Sequence, residues 1–212
     1  MLPITFTAAI FDVDGTLLDT MDVWRQVDVQ FLARRGIEYT ADYGAHMAAL
    51  YYELAARYTI DRFGLSETPA EVMAEWDELA RDAYARTHEV PGALAYLRAL
   101  KDRGVKLAYA TSGNDYLTVP TLEAHGMLEL FSAGAYTKET GKDKSEPDVY
   151  LLAAERLGVP PEECVVFEDV PRCIRGAKRG GFPVVALDTD PKGSDELRET
   201  ADYVIRDFLE EL

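Results

Sequence analysis

Cysteine is nearly missing from this chain. Two occur in 212 residues, Cys164 and Cys173, nine apart and without other metal-ligating company, which excludes a disulfide-stapled module and a thiolate metal site. The expectation is two plain buried thiols in a reducing compartment. Histidine is equally scarce: His46, His88 and His125 are scattered, with no zinc-ligand spacing around them, so each reads as an ordinary surface or core residue. No apolar run approaches the roughly 18 residues of a membrane span, because Asp, Arg or Glu interrupts every candidate. The N-terminus also lacks a basic region followed by an apolar signal core. These two lacks set the expectation of a cytoplasmic protein. Positive charge is in deficit too, with 22 Lys and Arg against 38 Asp and Glu and a net charge of -16. Such a surface excludes nucleic acid and anionic membrane as expected partners. An anionic small molecule would have to be drawn by local groups.

The sequence has ample apolar material, 48% hydrophobic, enough to bury one large core and allow a smaller insert. It also has the stretch Phe11-Asp12-Val13-Asp14-Gly15-Thr16 after the apolar run Ala8-Ala9-Ile10. Residues i and i+2 of an extended chain point to the same side, so Asp12 and Asp14 would face one point at a strand end unless the chain turns between them. Gly15 permits such a turn. Two convergent carboxylates repel unless a cation lies between them or one is protonated. The pair is therefore consistent with a Mg2+ site, an acid/base pair, a nucleophile with its partner, or a plain solvated turn.

Short apolar runs alternate with helical patterns over most of the chain. Strands are expected at Ala8 to Asp12, Lys106 to Thr111, Gly134 to Thr137, Cys164 to Phe167, Pro183 to Leu187 and Tyr203 to Ile205. Helices are expected at Gly92 to Arg103, Pro147 to Leu157, Cys173 to Gly180 and Asp195 to Thr200, several closed by glycine. Strands with helical crossovers imply an α/β fold with a doubly wound parallel sheet, whose ligands bind beyond the carboxyl ends of the strands. One interval departs from this rhythm. Between about Leu18 and His88 the pattern is almost wholly helical with no strand: Val23, Val27, Phe31 and Leu32 recur at helical spacing, and Met47 to Phe63 and Pro69 to Thr87 continue in that style. The expected division is a core of residues 1–17 and 89–212 with a helical insert of residues 18–88.

Three further stretches stand at expected strand ends: Leu107-Ala108-Tyr109-Ala110-Thr111-Ser112-Gly113-Asn114, Lys144-Ser145-Glu146-Pro147-Asp148-Val149-Tyr150, and Val165-Val166-Phe167-Glu168-Asp169. Singly, each has an ordinary reading, as a helix N-cap, a solvated lysine and a strand end. Together with the Asp12 stretch, in this order, they resemble the four motifs of the haloacid dehalogenase (HAD) superfamily, specifically its helical-cap phosphatase and beta-phosphoglucomutase-like group. The resemblance covers most of the chain and implies a Rossmann-like core with an inserted cap that closes over the site and chooses the substrate.

It further implies Mg2+-dependent phosphoryl transfer on a small phosphorylated metabolite. Asp12 would be the nucleophile that forms an aspartyl-phosphate. Asp14 would be the acid and base. Thr111 or Ser112, with backbone amides near Gly113 and Asn114, would bind the phosphoryl oxygens. Lys144 would add fixed positive charge; Lys142 is a rival, but only Lys144 stands three positions before Pro147. The metal would take the Asp12 carboxylate, the Asp14 backbone carbonyl and the Asp169 carboxylate, with Glu168 orienting a bound water.

Departures from the family pattern carry information. Sugar-phosphate mutases resembling this group have His where this chain has Trp24, which weighs against a mutase. Trp24 and Arg25 could instead border the substrate. Dehalogenase relatives lack the second acid, so Asp14 favours phosphate chemistry. Phosphonate hydrolases need a cap lysine, and no Lys occurs between Met1 and Leu100. Relatives commonly have Ser after the final Asp, where this chain has Val170. The reading is an HAD-type phosphatase, with a sugar-phosphate mutase or a non-enzymatic binding protein as alternatives. The oligomeric state stays open.

Overall fold

The computed structural model describes residues 5–20, 22–47, 52–189 and 193–211. Six parallel strands form the main sheet: β1 (Ala8–Phe11), β4 (Lys106–Thr111), β5 (Ala133–Tyr136), β6 (Cys164–Glu168), β7 (Val184–Leu187) and β8 (Tyr203–Ile205). Their order is β5-β4-β1-β6-β7-β8. The chain moves outward from β1 to β4 and β5, then returns to β6 on the other side of β1 and moves outward again. The carboxyl ends of β1 and β6 therefore flank the switch point, the place where an open α/β sheet leaves a crevice.

Strand periodicity explains why both faces of this sheet are dry. Ala9, Phe11, Leu107, Tyr109, Val165 and Phe167 enter one buried cluster, while Ala8, Ile10, Ala108, Ala110, Cys164 and Val166 enter the other. Alternate residues thus serve opposite cores, and a parallel sheet covered on both sides needs near-continuous apolar strands. Phe11 and Phe167, partners in the β1–β6 register, stack with ring centroids 4.5 Å apart. Burying each such ring contributes about 2 to 3 kcal/mol. Cys164 and Cys173 are free and buried.

The chain divides into two compact units. One comprises Met1–Asp19 with His88–Leu212, the other Thr20–Thr87. Within the first, two strands break the expectation of none between Leu18 and His88. β2 (Leu18–Asp19) pairs antiparallel with β3 (His88–Glu89). Two residues are too few to show an alternation, and Asp, His and Glu are not strand formers, so this ribbon rests on the pairing of the two chain segments rather than on propensity.

The second unit is helical. It holds α1 (Val23–Ala33), α2 (Ala41–Met47), α3 (Tyr52–Phe63) and α4 (Pro69–Tyr84). The helix expected over Met47 to Phe63 is thus observed from Tyr52, with residues 48–51 outside the described set, and α2 precedes it where the sequence shows no clear periodicity. α4 starts at a complete capping box: Thr68 and Glu71 bond each other's backbone N–H, and Pro69 occupies the first turn. Phe31 of α1 meets Trp76 of α4 edge to face at 5.6 Å. Arg35 seals that seam, lying 3.7 Å over the Phe31 ring while bonding Glu67 and Glu75 at 2.6 Å each. No helix among the described residues is long and apolar enough to cross a membrane.

The remaining helices cover the sheet: α5 (Ala93–Asp102), α6 (Asp115–Ala124), the short α7 (Thr137–Thr140), α8 (Asp148–Leu157), α9 (Pro171–Arg179) and α10 (Asp195–Thr200).

Candidate active site

The site forms where β1 and β6 end. The Asp12 backbone N–H still donates to the Phe167 carbonyl at 3.0 Å, extending the ladder by one residue. The chain then curls into a tight loop, with Gly15 N–H on the Leu18 carbonyl at 2.8 Å and Leu17 and Leu18 N–H both on the Val13 carbonyl at 3.0 Å. Gly15 is required twice over. Its φ is +87°, and a Cβ there would lie 2.2 Å from Asp169 Oδ2. A glycine therefore lets the β1 loop press directly against the carboxylate that follows β6.

Carboxyl oxygens of Asp12, Glu168 and Asp169 lie within 4.8 Å of one another. Lys144 enters this group from the loop ahead of α8. Its ammonium is buried, ion-paired with Asp12 Oδ1, and bonded to Glu168 Oε1 at 2.6 Å. Two local features place it. The Asp143 carboxylate accepts the Ser145 N–H at 2.8 Å, tightening the turn. Gly176 of α9 packs against the loop so closely that a Cβ there would lie 2.2 Å from the Lys144 carbonyl oxygen. Lys142, the rival in the sequence, is exposed and pairs with Asp148 at 3.0 Å.

Glu168 is saturated by protein donors. Oε1 receives Lys144 and the Tyr150 hydroxyl, the latter at 2.9 Å, while Oε2 receives the backbone N–H groups of Asp169 and Val170 at 3.1 and 3.4 Å. The Val170 amide therefore supports Glu168 through the backbone, whatever side chain stands there. Asp12 Oδ2 and Asp169 Oδ1, by contrast, are buried without a hydrogen-bond partner among the described groups.

Charge in this site is unbalanced. Burial pushes the Asp12 carboxyl well above the ordinary range; Lys144 pulls it back, and Glu168, Asp169 and Asp14 push it up again. Burial, reinforced by Glu168, pushes Asp169 up to about 7. Burial would lower the Lys144 ammonium, but the charges of Asp12 and Glu168 prevail and hold it protonated far above neutrality. One ammonium thus faces several carboxyls. Two orphaned hard oxygens in such a field are the donor set that a small divalent cation such as Mg2+ satisfies, and a bound cation would reverse the upward shifts.

Asp14 stands apart from that convergence. A Cβ built on Gly113 would lie 3.3 Å from Asp14 Oδ2 and 3.1 Å from Thr111 Oγ1, so Asp14 borders the loop after β4. The chain turns between the two acids, and they serve different sides of the site. Thr111 is fully buried, and its oxygen accepts the Gly113 N–H at 2.9 Å, which leaves its own proton to donate. Ser112 is exposed, and Gly113 is half-buried. Asn114 occupies the N-cap position of α6, yet its side chain makes no cap bond and donates to the Tyr116 hydroxyl at 3.1 Å. The ordinary capping explanation of Asn114 fails.

The sequence assigns no role to two residues the structure brings in. Tyr150 is buried, donates to Glu168, and lies with its ring 5.6 Å from the Lys144 ammonium. Thr16 is fully buried, and its hydroxyl has no partner among the described groups. Both sit inside recognised motifs, but a tyrosine on the apolar face of a helix reads as core and a threonine after Asp-Gly reads as a turn. Trp24 and Arg25 lie in the helical unit, where they line a cavity described below.

A strand-loop geometry with a buried acid-lysine-acid group at the switch point defines a class of phosphoryl-transfer hydrolase. A family model described as haloacid dehalogenase-like hydrolase matches residues 6–181, and the chain belongs to that family. It is 32% identical to the "Probable pseudouridine-5'-phosphatase" of Drosophila melanogaster, over 94% of this chain and 88% of that one. It is 29% identical to hexitol phosphatase A of Escherichia coli, covering 90% of this chain and 86% of the other. Among solved structures, a family IA HAD hydrolase of Entamoeba histolytica aligns with a TM-score of 0.81 at 23% identity, covering 96% and 94% of the two chains. A beta-phosphoglucomutase of Clostridium difficile aligns with a TM-score of 0.75 at 17% identity, covering 96% and 92%. These structural likenesses establish the shared fold. Both of these sequence relatives are named as phosphatases, and this chain is an enzyme of the phosphatase type.

Proposed function

We propose that this protein hydrolyses a small phosphomonoester by a Mg2+-dependent, two-step transfer through Asp12. The observation that carries the reading is the buried Asp12–Lys144–Glu168–Asp169 group with two carboxyl oxygens left unpartnered. Asp12 and Asp169 would hold the cation, with the Asp14 backbone carbonyl, while Glu168, whose oxygens are already occupied, acts as a positioning residue for Lys144. When bound, Mg2+ supplies the positive charge that draws the phosphate and keeps Asp12 ionised.

In the first step an Asp12 carboxylate oxygen attacks phosphorus as the ester P–O bond breaks, and Asp14 delivers a proton to the departing oxygen. In the second, Asp14 takes a proton from water, whose oxygen attacks phosphorus and returns Asp12 with release of inorganic phosphate. The Thr111 hydroxyl, with Ser112 and amides near Gly113 and Asn114, donates to the phosphoryl oxygens. The helical unit carries substrate choice, and two buried thiols suit a reducing cytoplasmic setting.

The test is a Mg2+-supplemented screen of phosphorylated metabolites that follows free phosphate. EDTA is expected to abolish turnover and Mg2+ to restore it. Metal-independent turnover, or isomerised sugar phosphate in place of free phosphate, would overturn the reading.

A further inference from the structure

The helical unit contains a cavity of about 410 Å3, lined by residues of that unit alone, among them Trp24, Asp28, Tyr39, Gly44, Tyr52 and Trp76. Its volume falls in the range of small-molecule pockets. Four of these six residues are aromatic. Gly44 shapes the wall, since a Cβ there would lie 1.8 Å from the Tyr39 hydroxyl oxygen. The ring pairs Trp24–Tyr52 and Tyr52–Trp76 meet at 5.7 and 5.6 Å, which fixes the rings against one another.

Arg25 also borders the cavity, with its guanidinium largely exposed and 3.7 Å from Asp22; the two buried side chains in the lining with polar atoms to satisfy are Asp28 and Trp76. Asp28 is 8% exposed and forms no ion pair among the described residues. Its support is a hydrogen bond with the Tyr43 hydroxyl, which lies 2.8 Å from Thr59 Oγ1, itself 2.8 Å from the Ala55 carbonyl oxygen. Trp76 is 2% exposed, and its indole N–H has no acceptor among the described groups. An unused donor and an acid with one hydroxyl partner therefore border one aromatic cavity. A complementary ligand would give the Trp76 N–H the acceptor it lacks and Asp28 a second partner.

We infer that this cavity binds a planar nitrogen heterocycle carrying both a ring C=O and a ring N–H, the chemistry of a pyrimidine base. The ring stacks among the aromatic walls, the C=O accepts from Trp76 Nε1, and the N–H meets Asp28. An organic cation would also suit an aromatic pocket with a carboxyl. It would satisfy Asp28 but leave the Trp76 N–H unpaired, so the heterocycle is the better match. The assignment concerns this cavity alone and stands whether or not the phosphatase reading does.

The chain's two tryptophans both line the cavity, so intrinsic tryptophan emission of the full-length protein reports on it. Titration with uracil is expected to quench that emission saturably, with a Kd of about 1 mM or below. Tetramethylammonium is expected to give no saturation. Asp28→Ala should weaken uracil binding about tenfold, and Trp76→Phe, read by Trp24 emission and by calorimetry, about fivefold. Asp28→Asn separates the two ligand chemistries, because an amide still pairs with a ring amide but no longer attracts a cation. Uracil affinity within about threefold of the parent supports the proposal. Three outcomes would overturn it in a protein whose circular dichroism shows it folded: absence of saturable uracil binding, tighter binding of tetramethylammonium than of uracil, or unchanged uracil affinity in Asp28→Ala. If Trp76→Phe fails to fold, the Asp28 variants and the two ligands still decide the matter.

Discussion

Asp12 and Asp28 are both acids held out of water, and the protein treats them in opposite ways. Asp12 lies at a strand end, paired with Lys144 and surrounded by other carboxyls. Asp28 lies on a helix among aromatic rings, with a tyrosine hydroxyl as its partner. The first arrangement concentrates charge and leaves it short of one cation. The second dilutes charge and makes the neutral acid comfortable. A buried acid therefore has no fixed chemistry; the neighbours supplied by the fold decide whether it acts as an anion or as a hydrogen-bonding group.

The sharpest way to break this comparison is to remove the charge at Asp12. Asp12→Asn keeps the shape and removes the proposed nucleophile, so turnover of any accepted phosphomonoester is expected to fall by about a thousandfold or more while the thermal transition persists. Activity within about tenfold of the parent would take Asp12 out of its role. Next in size is Lys144→Met. It strips the cation from a buried group and leaves Asp12 and Glu168 facing each other, for an expected loss of about 3 to 5 kcal/mol in urea unfolding with EDTA present. A loss under about 1 kcal/mol would mean that Lys144 does not hold the site together.

Asp28→Asn tests the other side of the comparison through pH. Burial raises the Asp28 pKa to about 7, while the unfolded chain titrates near the ordinary value of about 4. Below pH ~4 both states are protonated and this burial carries no penalty. Between about pH 4 and 7 the unfolded state loses its proton first, so stability falls as pH rises and levels off above the folded pKa. The asparagine variant lacks that slope. It is expected to match the parent near pH 4 and exceed it by about 4 kcal/mol at pH 8. Parallel stability curves for the two proteins would sink the idea. The smallest effect is Tyr150→Phe, which removes one of the two donors on Glu168 Oε1, with an expected cost of about 1.5 kcal/mol in the same urea experiment.

The two acids also differ in how far the sequence reveals them. Asp12 stands after a continuous apolar run and before Gly15, Thr111 and Asp169 stand at the ends of apolar runs and Lys144 stands ahead of a helix, and their order along the chain, which resembles the family's four motifs, groups them. Asp28 follows Val27 inside an apolar helical stripe, where one acid looks like a position near the stripe's border. Its burial depends on α2 and α3, whose placement periodicity does not encode. The β2–β3 ribbon was hidden for a related reason: two residues have no period. Tyr150 was visible as a helix residue but not as a donor to Glu168, because only the fold turns α8 so that its apolar face includes the site.

The loop contact between Gly15 and Asp169 has a consequence for how the protein is made. β1 emerges from the ribosome before the helical unit, and its neighbours β4 and β6 are translated only after the whole of it. The helical unit contains its own core and can condense while the apolar β1 segment waits without a partner. That wait is the interval in which an unpaired apolar strand is most open to mispairing. The last structural piece of the proposed catalytic centre, the β6 turn bearing Asp169, is made only after β4, β5 and the Lys144 loop. A chain halted before β4 is expected to show helical circular dichroism and no metal affinity, so the enzyme stays chemically silent until its sheet is closed.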